Sequence, residues 1–382
     1  SSTKSRNSIP CATEQEGTLS EERSMQPYAP VVNAPNYAPP TAPEPRYVQV
    51  VFTGKAGEYF RIWIVNTLLN IVTLGIYSAW AKVRNKQYFY RNTLMEGTSF
   101  EYLANPVSIL KGRIVAAVVL GAFFASQHYS LVLYGILGVL ILVATPWVWV
   151  KALAFNARNS AYRNIRLAFT GRFAEAAGIY FGMLLLTAVT CGIAYPYAVW
   201  RMTSFVTNRH LYGDRPFRWN NKVSDYFLTY LIAFALVIPM YILMIGVFAG
   251  MAASGVEKKG MQPAIMVMTI VIYAYLLIPT AIVKARVDNL TYGNLQIGEH
   301  YLVSRQSGFE LLKIYVTNLL GIAVSFGLLI PWAKVRLAAY RASTLTVVAT
   351  GSLYAEKLLE DEPGALGQGL SDLGDFDIGI GT

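Results

Sequence analysis

The sequence predicts an all-α integral membrane protein: three related membrane units plus two spanning helix pairs, with small cytosolic β-hairpins. Three observations predict it. Six apolar runs carry no Asp, Glu, Lys or Arg: 62–81, 114–150, 176–200, 226–256, 260–283 and 314–333. One twelve-residue pattern recurs three times along the chain. Short stretches with turn chemistry follow the apolar runs.

Composition supports the membrane reading. Of 382 residues, 54% are hydrophobic and 14% charged, and the mean hydropathy is +0.39. Soluble domains carry roughly 25% charged residues, so too few polar side chains exist to cover several soluble domains. The formal net charge of +10 invites a nucleic-acid partner, but the basic residues crowd between the apolar runs. That is the signature of flanks retained on the cytoplasmic side, and no nucleic-acid partner is expected.

In chain order, residues 1–46 read as a disordered Pro-rich tail. Seven prolines fall between Pro27 and Pro45, a composition that cannot bury a core. The first 26 residues hold Glu14, Glu16, Glu21 and Glu22 and no apolar signal-peptide core. Residues 47–355 form the polytopic membrane domain. An acidic, Gly-rich tail occupies 356–382. Cys11 and Cys191 are too few and too far apart for a disulfide framework.

Internal repeats are placed at 52–102, 169–219 and 308–354. TLGIYSAWAKVR (73–84) matches TCGIAYPYAVWR (190–201) and SFGLLIPWAKVR (325–336), at offsets of 117 and 252. The offsets hold outside these strings. Glu58 maps to Glu175 and Glu310, Trp63 to Tyr180 and Tyr315, and Arg84 to Arg201 and Arg336. Asn66 maps to Asn318, with Met183 in the middle copy.

The run 114–150 fits two spanning helices of ~20 residues each. The runs 226–256 and 260–283 fit a second pair, with Glu257, Lys258 and Lys259 between them. LMEGTSFEYL (94–103), IRLAFTG (165–171), LYGDRPFRW (211–219), LTYGNLQIGEHYLV (290–303) and LTVVATGSLY (345–354) carry hairpin chemistry: Gly beside an acidic or amide residue, between β-favouring residues.

The runs 62–81, 176–200 and 314–333 admit two readings. As single spans they give seven crossings and place basic loops on both sides of the membrane. As re-entrant hairpins turning near residues 70–75 they keep every basic loop on one side. The positive-inside rule favours hairpins. Their irregular backbone must then be buried in protein, with Asn66, Asn70, Thr73 and Gly75 serving the turn. Pro146, Pro196, Pro279 and Pro331 read as kinks or helix ends.

FTGKAGEYFRIWIVNTLLNIVTLGIYSAWAKVRNKQYFYRNT (52–93), followed by Gly97, Phe100, Tyr102, Pro106 and ILKGR (109–113), resembles the YjgN-like family of bacterial multi-pass inner-membrane proteins. FDIGIG (376–381) is also similar to that family, and the resemblance extends over 47–382. It implies a bacterial inner-membrane location. The family is a domain of unknown function, so the resemblance implies no activity and no catalytic residues.

Candidate residues follow from the repeats. Lys82, Arg84, Arg201, Lys284, Arg286, Lys334 and Arg336 are candidate contacts for an anionic lipid or solute. The alternative is topology signalling by snorkelling side chains. Glu58, Glu175 and Glu310 are candidate charge partners for the repeat arginines, at helix starts where negative charge is favourable. Asn66, Asn70 and Asn318 are polar groups inside apolar runs, suited to interhelical hydrogen bonds or to lining a path. Gly178-x-x-x-Gly182 and Gly246-x-x-x-Gly250 allow close helix approach, and a homo-oligomer is one use of such seams.

No P-loop, dinucleotide-binding glycine motif or HExxH occurs, and His128, His210 and His300 are scattered. No catalytic residue, metal or cofactor is expected. Two function classes stay open. One is transport or channel-like passage of a small solute or lipid, supported by repeats with broken helices. The other is a non-transporting envelope protein that binds anionic lipid or scaffolds partners, supported by sparse intramembrane charge.

Overall fold

The computed structural model describes residues 44–254 and 258–353. The Pro-rich tail up to residue 43, the acidic tail at 356–382 and Glu257 lie outside the described residues. The described chain opens with β1 (Arg46–Gln49) and β2 (Val51–Phe52). A helix pair follows, α1 (Ala56–Val72) and α2 (Ser78–Arg91), then β3 (Thr93–Met95) and β4 (Thr98–Tyr102). The same alternation continues through α3 (Pro106–Tyr129), α4 (Leu131–Asn159), β5 (Ser160–Tyr162) and β6 (Ile165–Phe169). Next come α5 (Phe173–Val189), α6 (Tyr195–Asn208), β7 (His210–Tyr212) and β8 (Arg215–Trp219). Then come α7 (Val223–Ala253), α8 (Lys258–Tyr292), β9 (Leu295–Ile297) and β10 (His300–Ser304), and the chain finishes with α9 (Gly308–Val324), α10 (Ile330–Ser343) and β11 (Leu345–Ala349).

The strands correct the expected fold class. The protein is not all-α with small separate hairpins: the strands join into one 11-stranded antiparallel sheet. Its order runs β1-β11-β10-β9-β8-β7-β6-β5-β4-β3-β2. The two ends of that order, β1 and β2, are separated in the chain by Val50 alone. The sheet therefore closes into a barrel-like ring, with the β1–β11 ladder as its seam (Arg46 opposite Ala349). The physical reason is the edge problem. A lone hairpin is marginal and exposes unpaired backbone on both sides, and closure removes every edge.

Two local expectations change with it. LTVVATGSLY (345–354) is no hairpin but the single strand β11, completed by β1 and β10. In IRLAFTG only the second arm of a hairpin was visible, since the first arm is β5. The Glu96–Gly97 turn follows the expected chemistry, whereas the β5–β6 turn is made by Arg163 and Asn164 without glycine. Glu96 and Gly97 have φ 48 and 73, and Arg163 and Asn164 have φ 51 and 62. Two consecutive left-handed residues match the twist of the flanking strands.

Inside the ring lies one apolar core. Val50, Tyr162, Ile165, Tyr212, Phe217, Trp219, Leu295, Leu302, Val347 and Leu353 are buried in one cluster. Val48, Met95 and Phe100 pack against it, so the lumen is filled from all sides.

Every second strand connection is a helix pair. All five pairs therefore leave the strand ring from the same rim and return to it. Each helix packs on its chain neighbours, and α10 closes on α1. Among the described residues, four helices are long and apolar enough to cross a membrane: Pro106–Tyr129, Leu131–Asn159, Val223–Met251 and Ile265–Tyr292. These belong to α3–α4 and α7–α8, the two expected spanning pairs.

The other three pairs are hairpins of one size. α1, α5 and α9 have 17 residues each, and α2, α6 and α10 have 14. At ~1.5 Å per residue they rise ~25 Å before turning back. The turns are built alike. Leu74–Gly75, Cys191–Gly192 and Phe326–Gly327 all have φ near +50 and +90. The hydroxyls of Thr73, Thr190 and Ser325 accept from the backbone N–H of Tyr77, Ala194 and Leu329, each at 3.0 Å. Thr73 and Gly75 thus serve the turn as expected, whereas Asn66 lies lower in the hairpin. Pro196 and Pro331 open α6 and α10 at their first turn instead of kinking or ending a helix. Their missing N–H costs nothing there. Gly178, Gly182, Gly246 and Gly250 face open space, so neither small-residue seam packs a helix within the described chain.

Candidate functional site: two basic constellations on one hairpin

The α1–α2 hairpin presents two opposite faces. Arg61, Val65, Leu68 and Val72 fall at i, i+4, i+7 and i+11 and share one face of α1. Tyr59, Asn66 and Asn70 occupy the other.

On the first face, Arg61, Arg84 and Arg91 line one groove of about 510 Å³ together with Ile62, Val65, Gln87, Tyr88 and Asn92. The three arginines are exposed. Arg84 Nη1 donates to Tyr77 Oη at 2.9 Å. None of the three is paired with a carboxylate among the described residues. Above Arg61 the stripe is bare: Val65, Leu68 and Val72 are 46%, 56% and 78% exposed, and Leu74 at the tip is 93% exposed.

The α9–α10 hairpin carries a counterpart. Lys313 and Arg336 stand at the positions equivalent to Arg61 and Arg84, below exposed Leu320 and Val324. Arg336 donates to the hydroxyl of Thr317 and, at 3.4 Å, to Asn318 Oδ1, and lies over the Trp332 ring. Lys313 Nζ is 2.8 Å from Glu310 Oε1. In the middle hairpin Arg201 has Gly178 at the position equivalent to Arg61. The exposed stripe persists there in Leu185 and Val189.

The opposite face of α1–α2 is lined in common with α3 and α10, the helices flanking the hairpin, and so points into the helix ring. There Lys82 and Lys86 of α2, Arg113 of α3 and Lys334 of α10 line a cavity of about 400 Å³, with Asn70, Ser78 and Asn85. Lys86 is buried, with Nζ 5.2 Å from the Tyr102 ring centroid. Arg113 donates to the Ser78 hydroxyl. Asn66 Nδ2 donates to Asn85 Oδ1 at 3.1 Å, and Asn318 Nδ2 to the Ala333 carbonyl at 3.3 Å. Asn66 and Asn318 therefore tie the two helices of a hairpin together, while Asn70 faces the cavity.

The remaining candidates stand apart. Lys284 Nζ pairs with Asp288 at 2.8 Å in the same helix. Arg286 Nε donates to Thr229 Oγ1 at 3.3 Å. The three glutamates do not meet the repeat arginines. Glu58 accepts from Tyr88 Oη at 3.4 Å, Glu175 pairs with Arg209 at 2.9 Å, and Glu310 pairs with Lys313. Antiparallel helices explain this. A residue in the first turn of α1 or α5 lies opposite the last turn of its partner, two turns beyond Arg84 or Arg201.

Sequence reasoning missed Arg61, Lys86, Arg91 and Arg113. The 252-residue offset that pairs Arg61 with Lys313 was the available signal. In the strand ring, His210 is buried between Phe169 and Phe217, with Nδ1 2.6 Å from the Val206 carbonyl. Burial pushes its pKa down to about 4. His300 is also lowered, by burial and then by nearby Arg215.

Comparison with known proteins gives a consistent setting. The family described as "Bacterial protein of unknown function (DUF898)" matches residues 47–373. The chain is similar to Inner membrane protein YjgN of Salmonella typhimurium, 31% identical over 146 residues, 37% of this chain and 36% of that protein. It is 29% identical over 151 residues to Inner membrane protein YjgN of Escherichia coli K12, 38% of this chain and 37% of that one. The matched stretch thus spans little more than a third of the relatives' own length. No solved structure matches the chain.

Proposed function

The chain belongs to the DUF898 family of bacterial proteins, lies in the inner membrane, and from that premise we propose that it binds anionic phospholipid through the basic groove of the α1–α2 hairpin. One observation carries the reading: Arg61, Arg84 and Arg91 converge at the foot of an exposed apolar stripe. The stripe from Val65 to Val72 runs ~10 Å along the helix and suits an acyl chain. Guanidinium forks suit a phosphate, with two N–H groups offered to two oxygens. Basic residues near an anionic leaflet gain ~1 kcal/mol each. We read the three equal hairpins as copies of one unit, in which Lys313 and Arg336 form a weaker groove because Glu310 offsets part of the charge.

The filled strand ring supports binding over axial passage. A solute moving along the axis would have to displace Tyr162, Phe217 and Trp219. The proposed topology dips each hairpin into the bilayer and returns it to the same side.

Lipid retention tests the reading. Arg61→Gln with Arg84→Gln, purified in mild detergent, should lose phosphatidylglycerol and cardiolipin about tenfold and keep phosphatidylethanolamine. A tenfold loss is about 1.4 kcal/mol, within the ~2 kcal/mol that two basic residues near an anionic headgroup contribute at most. Unchanged retention of the anionic lipids would sink the proposal, and a saturable solute flux in reconstituted vesicles would favour transport instead.

A further inference from the structure

We infer that the pocket among helices α4–α8 binds an uncharged single-chain amphiphile, whose hydroxyl head bridges Lys284 and Asp288. The pocket holds about 570 Å³ and is walled by residues of all five of these helices. That size falls within the ~300–1,000 Å³ of small-molecule sites. It is a different place from the outer groove of α1–α2 and from the cation-lined cavity beside α3 and α10, and it does not depend on phospholipid binding at that groove. Most of its wall is apolar: Met183 of α5, Val199, Met202 and Val206 of α6, and Val287 of α8. Along α6 it runs from Tyr195 to Thr207, ~18 Å at a rise of ~1.5 Å per residue. A long apolar slot of this kind suits one extended chain.

Two charges interrupt that wall. Lys284 Nζ and Asp288 Oδ1 are 2.8 Å apart, one turn from each other in α8. They belong to Ile265–Tyr292, a stretch long and apolar enough to span a membrane. Ionisable groups are costly in such a segment, and those that face a cavity instead of lipid mark functional positions. Asp288 is buried, 6% exposed. Desolvating its carboxylate costs about as much as the pairing returns, so stability alone does not account for the pair.

The pair selects the head of the ligand by being neutral in sum. A carboxylate brought beside Lys284 meets Asp288, and an ammonium brought beside Asp288 meets Lys284. Either is repelled by the like charge and loses its hydration as well. A hydroxyl meets neither repulsion. The ion pair engages one of the three Nζ donors and one of the two carboxylate oxygens. A hydroxyl has one donor and two acceptor positions, so it accepts from a second Nζ hydrogen and donates to the other carboxylate oxygen. Thr207 Oγ1 donates to the Thr203 carbonyl at 2.8 Å, and its oxygen is an acceptor for a further hydroxyl, as in a glycerol head. Helices α6 and α8 both run toward the strand ring, so Asp288 and Thr207 lie at the ring end of the pocket. Leu184 and Tyr195, both about half exposed, lie toward the hairpin tip. The head therefore sits at the ring end, and the chain extends toward the tip that the proposed topology places in the bilayer.

Protection of a pocket cysteine tests this in the full chain. With Cys11→Ser and Cys191→Ser as background, Met202→Cys is treated with N-ethylmaleimide in phosphatidylcholine nanodiscs. Oleyl alcohol, oleate and oleylamine are the probes, three heads on one chain. The expected result is protection by oleyl alcohol at about tenfold lower concentration than by the other two, the worth of one hydrogen bond to a charged group. Asp288→Asn leaves the lysine charge unopposed and should move the preference to oleate. Lys284→Gln should move it to oleylamine, and this variant keeps the test decisive if Asp288→Asn does not fold. Farnesol beside oleyl alcohol separates an isoprenoid from a straight-chain source, and protection by either one at the lower concentration supports the proposal. Equal protection by all three heads would overturn it, since the chain alone would then fill the pocket. So would a head preference that neither variant alters, or protection by none of the probes. Phosphatidylglycerol retention should not change in Asp288→Asn, which keeps this test separate from that of the α1–α2 groove.

Discussion

Asn66 Nδ2 donates to Asn85 Oδ1 across the α1–α2 hairpin at 3.1 Å, and Asn66 is only 2% exposed. Two short amides therefore bolt the antiparallel helices together midway along their length. Asn318 does similar work in α9–α10, reaching the Ala333 carbonyl. The middle hairpin has Met183 in this place and relies on apolar packing. Asn66→Ala should lower stability by about 1 kcal/mol, because it removes an interhelical hydrogen bond and leaves the part-buried Asn85 acceptor without this donor. The reduction should appear as a lower thermal midpoint in detergent. Met183→Ala should lose about 2 kcal/mol by a different route, a cavity.

The hairpin turns make a second case. Gly75, Gly192 and Gly327 have φ of 89, 90 and 91, and an added Cβ at Gly75 or Gly192 would meet nothing nearby. Alanine there is strained by conformation alone, at about 1–2 kcal/mol. Each single variant should be destabilised by a similar amount in thermal scans. A negligible effect at all three would show that the turns do not hold this shape.

Membrane sidedness gives a third. All helix pairs return to one rim, so the strand turns at Glu96, Asp214 and Glu299 share a side. Single cysteines at these positions, in a background without Cys11 and Cys191, should all react with an impermeant maleimide in inverted vesicles and not in spheroplasts. Labelling of Asp214→Cys from the opposite side would restore the single-span reading.

The fourth concerns pH. The pKa of His210 is about 4 in the folded protein, against about 6.5 when unfolded. Between these values the unfolded chain binds more protons, so stability falls as pH drops. The slope is at most about 1.4 kcal/mol per pH unit. The loss should begin below about pH 6.5 and level off below about pH 4. His210→Gln should flatten this window in pH-dependent denaturation.

Much of the helical layer was legible in sequence. Charge-free runs of sufficient length located both spanning pairs, and basic loops on every flank pointed to hairpins. The closed sheet was not legible. β4 pairs with β5 and β6 with β7 across whole helix pairs, and a three-residue strand such as β5 carries too little pattern to fix a distant partner. The seam strand at Arg46–Phe52 sat at the boundary drawn for the Pro-rich tail. At the site, Lys82, Arg84 and Lys334 stood out because they recur. Arg61, Arg91 and Arg113 became neighbours only once the helices folded back, and linear spacing does not express that.

The seam has a consequence for how the molecule is made. Arg46 pairs with Ala349, so the first of the described strands must wait for the last of them. Closing a loop of this length costs about 5 kcal/mol in chain entropy, and no earlier partner can cap that edge. Until β11 arrives, the growing chain is an open crescent with reactive ends. Biogenesis should therefore end in a single late snap, after all the described helix pairs have formed. Removing any one helix pair would shorten the circumference and leave a gap, so the architecture counts its own parts.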